Sequence, residues 1–279
     1  CNGGASAIGN NCAATNKEIF NRLSAVTNAH VQETSVNTYG TNACLSDTTP
    51  GDVITVGYQN TNCSGYDTTL LSMSASDNAT VGDGNAYTRK VCATITPQIL
   101  TFDLDTYNTS TTTTNTVPSY SVDLGVLTTG TVTGTTEGGG STPNGIWFDL
   151  DTNAVGGAVL SVQSQNSSLK SASTPAHTIP SSSGAIVAGT SQYGICANRN
   201  ATSSGTLNKI SPYSSACSTT PSSNTIGLVD GTARPIYDTN GGSVVGGRGE
   251  IMVNATISTS TAAHSDYGDT LTFIVTGTF

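Results

Sequence analysis

Four aspartates stand in two copies of one pentapeptide, Phe102-Asp103-Leu104-Asp105-Thr106 and Phe148-Asp149-Leu150-Asp151-Thr152. In extended chain, residues two apart share a face, so Asp103 pairs with Asp105 and Asp149 with Asp151. Paired carboxylates can hold Ca²⁺ through hard oxygen ligands or serve as general acid and base. The competing arrangement turns Phe and Leu inward and leaves Asp and Thr to water. Neither copy sits in a ligand-rich loop of EF-hand type, so no metal or other cofactor is assigned and the four carboxylates stand only as candidate ligands.

The other reactive residues are sparse. His30 lies in a motif that recurs later with Thr80 in its place, and no Cys or carboxylate stands beside it at ligand spacing, so it reads as structural. Trp147, the single Trp, fits a core position in an apolar run or a sugar-binding face, the run favouring the core. There is no Gly-x-Ser-x-Gly, no His-Glu-x-x-His and no Gly-x-x-x-x-Gly-Lys, and none of the three His is near a nucleophile. The chain is therefore not expected to be an enzyme.

Composition sets the class. The 279 residues include 31 Gly and many Ser, Thr and Asn, with 10% charged residues and no long stretch of helical apolar period. An all-β chain of short strands and turns follows. A net charge of −9 with nine Lys plus Arg leaves no basic surface for phosphates, so nucleic acid is not expected as a partner, nor is an anionic membrane. No run of 18 apolar residues predicts a membrane span, and no basic-then-apolar leader opens the chain, which reads as a mature, exported protein. Seven Cys and six Asn-x-Ser/Thr sequons, at Asn62, Asn78, Asn108, Asn166, Asn200 and Asn254, agree with an extracellular location.

Residues 1–95 carry a duplication. Cys12, Leu23-Ser24, Asn28-Ala29-His30-Val31, Tyr39 and Cys44 recur in order as Cys63, Leu71-Ser72, Asn78-Ala79-Thr80-Val81, Tyr87 and Cys92. Each copy is too small to hold a core unaided, which favours staples within a copy, Cys12 to Cys44 and Cys63 to Cys92, over pairing between copies. A loop of about 30 residues closed in this way gains roughly 3 to 4 kcal/mol in the chain-entropy account. Lys17 to Leu23 fits a short helix or the approach to a strand.

From residue 96 to 279 the pattern changes to that of an Ig-like or jelly-roll β-sandwich domain. Strands are expected at 102–106, 122–127, 145–152 and 158–162, with a Thr-rich loop at Asn108 to Thr116 and a Gly-rich turn at 137–140. Residues 164–243 read mostly as loops, stapled by Cys196 to Cys217, with apolar runs at 185–188 and 226–229. Period-two alternation then writes two half-buried antiparallel strands between Gly249 and Phe279, the last closing the sandwich against sequence-distant partners.

Val122-Asp123-Leu124-Gly125-Val126-Leu127-Thr128-Thr129-Gly130-Thr131-Val132, Asp151-Thr152-Asn153-Ala154-Val155-Gly156-Gly157 and the stretch from Asp269 to Phe279 resemble secreted β-sandwich surface proteins of candidate phyla radiation bacteria (Patescibacteria). Those proteins have similar Leu-Ser, Asn-Ala-His-Val and Cys landmarks in their N-terminal parts. More distantly, the terminal strand is similar to the last strand of spore-coat-U-like and Csu-type pilins and of TasA-like fibre subunits. The resemblance implies a structural cell-surface protein, the subunit of an extracellular filament or pilus-like fibre whose partners are other copies of itself. The competing class is a monomeric or lipid-anchored adhesin whose Thr/Asn-rich loops bind surface glycans. Cys1 is left over from the three staples, for lipidation, an intermolecular bond or a free tail. The segment before about Ala25 is the expected donor of N-terminal strand exchange.

Overall fold

The computed structural model describes residues 8–9, 12, 17–23, 30–36, 38–45, 52–106, 120–135 and 145–279. The chain is all-β and divides into two compact units, Cys1–Gln98 and Ile99–Phe279. Unit 1 comprises β1 (Ile8–Gly9), β2 (Lys17–Leu23), β3 (Thr41–Leu45), β4 (Val53–Asn60), β5 (Thr68–Met73), β6 (Val81–Gly82) and β7 (Arg89–Thr96). Unit 2 comprises β8 (Leu100–Asp105), β9 (Thr133–Gly134), β10 (Ile146–Thr152), β11 (Ala158–Ser164), β12 (Ser168–Lys170), β13 (Thr178–Pro180), β14 (Gly184–Ala185) and β15 (Gln192–Ala201). It continues with β16 (Ser204–Gly205), β17 (Asn208–Lys209), β18 (Thr225–Ile226), β19 (Arg234–Asp238), β20 (Val244–Thr256) and β21 (Leu271–Gly277). Among the described residues the one helical turn is the 3₁₀ turn Pro221–Ser223, and no helix is long and apolar enough to cross a membrane. Because β7 runs through Thr96, the boundary between units falls after Gln98, a little past the change of register at 96.

Unit 1 repeats one topology. Its two sheets have strand orders β1-β3-β2 and β4-β7-β5-β6. In each, the strand before the first Cys and the strand after it flank the strand that carries the second Cys. Cys12–Cys44 and Cys63–Cys92 join these places, with Cα atoms 5.6 and 5.5 Å apart. Residues 17–23, open between helix and strand in the sequence, pair with β3. Val31 and Ala79, from matching motifs of the two copies, exchange backbone hydrogen bonds of 3.0 and 2.9 Å. They share a small core with Met73 and Val91. Such a core is thin, and the two disulfides add constraint where burial alone supplies little.

Unit 2 is a two-sheet sandwich. One sheet runs β15-β20-β10-β8, with β9 and β16 also on β20; the other runs β17-β19-β11-β21. Every pairing between these strands is antiparallel. The inward residues follow from alternation: Phe148 and Leu150 on β10, Leu160 and Val162 on β11, Ile195 on β15 and Ile251 on β20 are all buried. Each such side chain contributes about 1.5 to 3 kcal/mol on burial. Phe148 meets Tyr237 edge to face at 4.8 Å between ring centroids. The Tyr237 hydroxyl lies 2.7 and 2.8 Å from the carbonyl oxygens of Arg199 and Glu250, so the polar end of a core aromatic is satisfied. Burial, with the Glu250 charge adding to it, pushes the Tyr237 pKa up.

Two expectations change here. β20 is buried on both faces from Glu250 to Thr256, where a half-buried strand was expected, because Met252, Asn254 and Thr256 are covered as fully as Ile251 and Val253. Residues 122–125 alternate in burial, but among the described residues the segment 122–127 pairs with no strand.

Gly249 shows how tight the core is. A Cβ there would stand 2.3 Å from Phe148 ring atoms and 3.2 Å from Tyr237, whereas at Gly231 it would meet nothing within 4 Å. Gly249→Ala should therefore cost about 1 to 3 kcal/mol of unfolding free energy. Gly231→Ala should stay within about 0.5 kcal/mol of the parent. Urea denaturation of the two variants checks both.

Candidate functional site

The repeated pentapeptides meet across one ladder. Asp149 on β10 stands opposite Asp103 on β8 and Arg248 on β20, and in the next row Trp147 stands opposite Asp105 and Glu250. Ligand oxygens of Asp103, Asp105 and Asp149 all lie within 4.8 Å of one another. Asp151 is not in this group: its Oδ1 accepts from the Gly246 N–H at 2.5 Å.

The surroundings correct the picture of Asp and Thr facing water. Asp105 is 2% exposed and Glu250 fully buried, with Asn198 donating from Nδ2 to Glu250 Oε2 at 2.5 Å. Arg248 donates from Nη1 to Asp149 and lies over the Trp147 ring, 5.2 Å from its centroid. This second face is covered because β20 carries layers on both sides, and carboxylates there have protein partners, Arg248 for Asp149 and the Asn198 amide for Glu250. A cation such as Ca²⁺ takes roughly six to eight oxygens. Two flat strands bring three acidic ligand atoms together, and Arg248 already balances one carboxylate. Trp147, 2% exposed under that guanidinium, is not a sugar platform; it is buried, on the face away from the main core.

The remaining sequence candidates are spread apart. Cys196 bonds Cys217, with Cα atoms 5.7 Å apart. Asn62, Asn78, Asn166 and Asn200 are exposed. Asn78 has φ +49°, accepts a hydrogen bond from Tyr39 at its Oδ1, and lies with its carbonyl 3.3 Å from His30 Nδ1. Asn254 is overturned as a glycan acceptor: it is fully buried, 3.0 Å from the Asn224 amide and 3.7 Å from Cys196 Sγ. Cys1 and Asn108 lie outside the described residues, as do the Thr-rich loop at 108–116 and the turn at 137–140.

A feature that motif reading misses is the open side of the unit 2 sandwich. β8 and β21 are the edge strands of their sheets, and between them lies a groove of about 1160 Å³ lined by Leu104, Ile146, Tyr193, Leu271 and Phe273. Residues 120–127 run along this groove, with Val122, Leu124 and Leu127 packed against the core. The rim is polar. Asp269 accepts from Ser164 Oγ at 2.6 Å, Asn166 N at 3.0 Å and Thr270 N at 2.8 Å, fastening the start of β21 to the end of β11. Burial, then the Asp269 carboxylate, pushes the Tyr193 pKa up. His264 stacks on His177 at 4.9 Å and meets Tyr267 edge to face.

Comparison with protein-family models, curated proteins and solved structures gives no significant match to this chain. The functional reading therefore rests on the two sites just described.

Two measurements test their electrostatics. Because Arg248 balances Asp149, chelator should leave the melting temperature unchanged in calorimetry; a drop of several degrees would make Asp103, Asp105 and Asp149 metal ligands through linkage. On the groove rim, hydrogen bonds from the Ala172 amide (2.8 Å) and the Ser171 hydroxyl (2.9 Å) hold the Asp266 pKa below its ordinary 3.8. A depressed folded pKa means that this tie is fully present above 3.8 and is lost as pH falls through the lower folded value. Carbon NMR of the Asp266 carboxyl should show titration below 3.8, and titration at or above that value would contradict the assignment.

Proposed function

We propose that the chain is a structural protein of the bacterial cell surface, the self-assembling subunit of an extracellular filament, and that it has no catalytic role. The observation that carries this reading is the pair of edge strands, β8 and β21, on one side of the unit 2 sandwich. An unpaired edge is a template for a strand from another chain, and main-chain hydrogen bonds with alternating side-chain pockets supply the affinity. Three disulfides support a place in an oxidising compartment. In the carboxylate row Arg248 balances Asp149, and we read the row as part of the scaffold rather than as a reactive group.

The N-terminal donor expected from sequence is narrowed by the fold. β1 and β2 pair with β3 of their own chain, and Cys12 is bonded to Cys44, so both strands already have partners within the chain. An N-terminal donor is then confined to residues 1–7, with Cys1 available to lock a contact between subunits.

Negative-stain microscopy of the purified chain should show ordered fibres. Because Cys1 is the one Cys left over from the three disulfides, boiling in detergent without reductant should leave a disulfide-linked dimer that reductant collapses, and truncation of residues 1–7 should abolish that dimer. Fibres that persist without the covalent dimer remove the Cys1 bond alone. A chain that stays monomeric at all concentrations and binds glycans on an array is an adhesin, and the filament reading is then wrong.

A further inference from the structure

The core of unit 2 is unfinished at its open side. On β11, Leu160 and Val162 are fully buried; on the neighbouring β21, Leu271, Phe273 and Val275 are only half covered. Leu271 and Phe273 line the same groove as the strap of residues 120–127, which packs Val122 and Leu124 against the core at alternate positions, as a strand would. Yet it is not a strand. Among the described residues no backbone hydrogen bond joins it to β21 or β8, and its Gly125 amide instead caps the Asp123 carboxylate at 2.7 Å. Gly125 has φ +68°, which breaks the extended run, and Val126 beyond it is 87% exposed. The strap thus supplies side chains to the groove, while among the described residues the outer edge of β21 has no strand partner.

Resting on the filament reading, we infer that residues 120–127 are an exchangeable strap and that the groove's partner in the assembly is the same segment of a second copy. The groove already accepts these side chains, so an identical segment needs no new complementarity, which makes exchange of an identical element a low-cost route to association. A donor on the outer edge of β21 can also form the ladder that the strap lacks in its own chain. Reach permits it: residues 107–119 connect β8 to the strap and span at most about 45 Å when extended. If each chain gives its strap to the next and receives from the one before, the contact is head to tail and does not close, as a filament requires.

The test uses two full-length variants, Leu124→Asp, which spoils the strap, and Phe273→Asp, which spoils the groove. Each alone should lose assembly, and an equimolar mixture should give a one-to-one heterodimer by native mass spectrometry, since one good strap meets one good groove. Because either variant can fail to fold, a peptide of residues 119–130 is also added in excess to the wild-type chain. It should shorten the fibres, whereas a scrambled peptide should not. Fibres of wild-type length in the peptide, or normal assembly by folded Leu124→Asp chains, would overturn strap exchange while leaving the filament reading in place. Absence of wild-type fibres under every condition sinks both.

Discussion

The ladder along β20 is the constraint on which the rest of unit 2 depends. This one strand pairs with β15 on one side and β10 on the other, and takes β9 and β16 near its ends. Both of its faces are covered, so its residues must satisfy two environments by turns: Ile251, Val253 and Ala255 meet the sandwich core, while Glu250, Met252 and Asn254 lie under a second layer. Small residues make this possible. At Gly249 the strand passes the Phe148 ring, and at Gly247 a Cβ would stand 2.6 Å from the Leu150 carbonyl oxygen. On the second face Asn254, Asn224 and Ser218 form one connected hydrogen-bonded set beside the Cys196–Cys217 bond, as burial of polar groups favours.

The same constraint explains the carboxylate row. Asp103, Asp149 and Arg248 are neighbours only because β8, β10 and β20 align in register, though Asp149 and Arg248 are distant in sequence. That Asp103 and Asp105 share a face was legible from period two. That a guanidinium stands beside them was not, since Arg248 sits in the Gly-rich run Gly246-Gly247-Arg248-Gly249 with no apolar alternation around it. Charge pairing across a sheet is a property of register, and register appears only when strands are paired.

Legibility followed hydrophobic contrast throughout. β10, β11, β20 and β21 alternate apolar with polar residues and were readable as strands. β15 and β19 lay hidden in the Ser/Thr/Gly-rich stretch from 164 to 243. β15 reads Gln-Tyr-Gly-Ile-Cys-Ala-Asn-Arg-Asn-Ala: its core face is Tyr193, Ile195 and Ala197, while Gly194 lies beneath the Gly227 carbonyl at a distance that would leave a Cβ 2.7 Å away. β19 begins with Arg234 and Pro235, its register against β11 shifts between Pro235 and Tyr237, and only Ile236 and Tyr237 are buried. In both cases the close approach of a neighbouring segment selects residues that weaken the very signal by which strands are recognised.

Residues 122–127 present the converse. Their pattern reads as a strand, their side chains are placed as in a strand, and they make no ladder. Local alternation specifies which face a segment presents, but only an available edge partner specifies that its backbone is paired. Here the segment runs along the groove between β8 and β21, and Gly125 turns the chain away after Leu124. β21 shows the cost from the other side: its inward residues are only half buried although its alternation is regular. A fold that alternates correctly at an edge and still leaves that edge uncovered has its apolar period satisfied and its backbone accounting open. In an antiparallel sandwich that combination arises where chain geometry, rather than residue choice, limits closure.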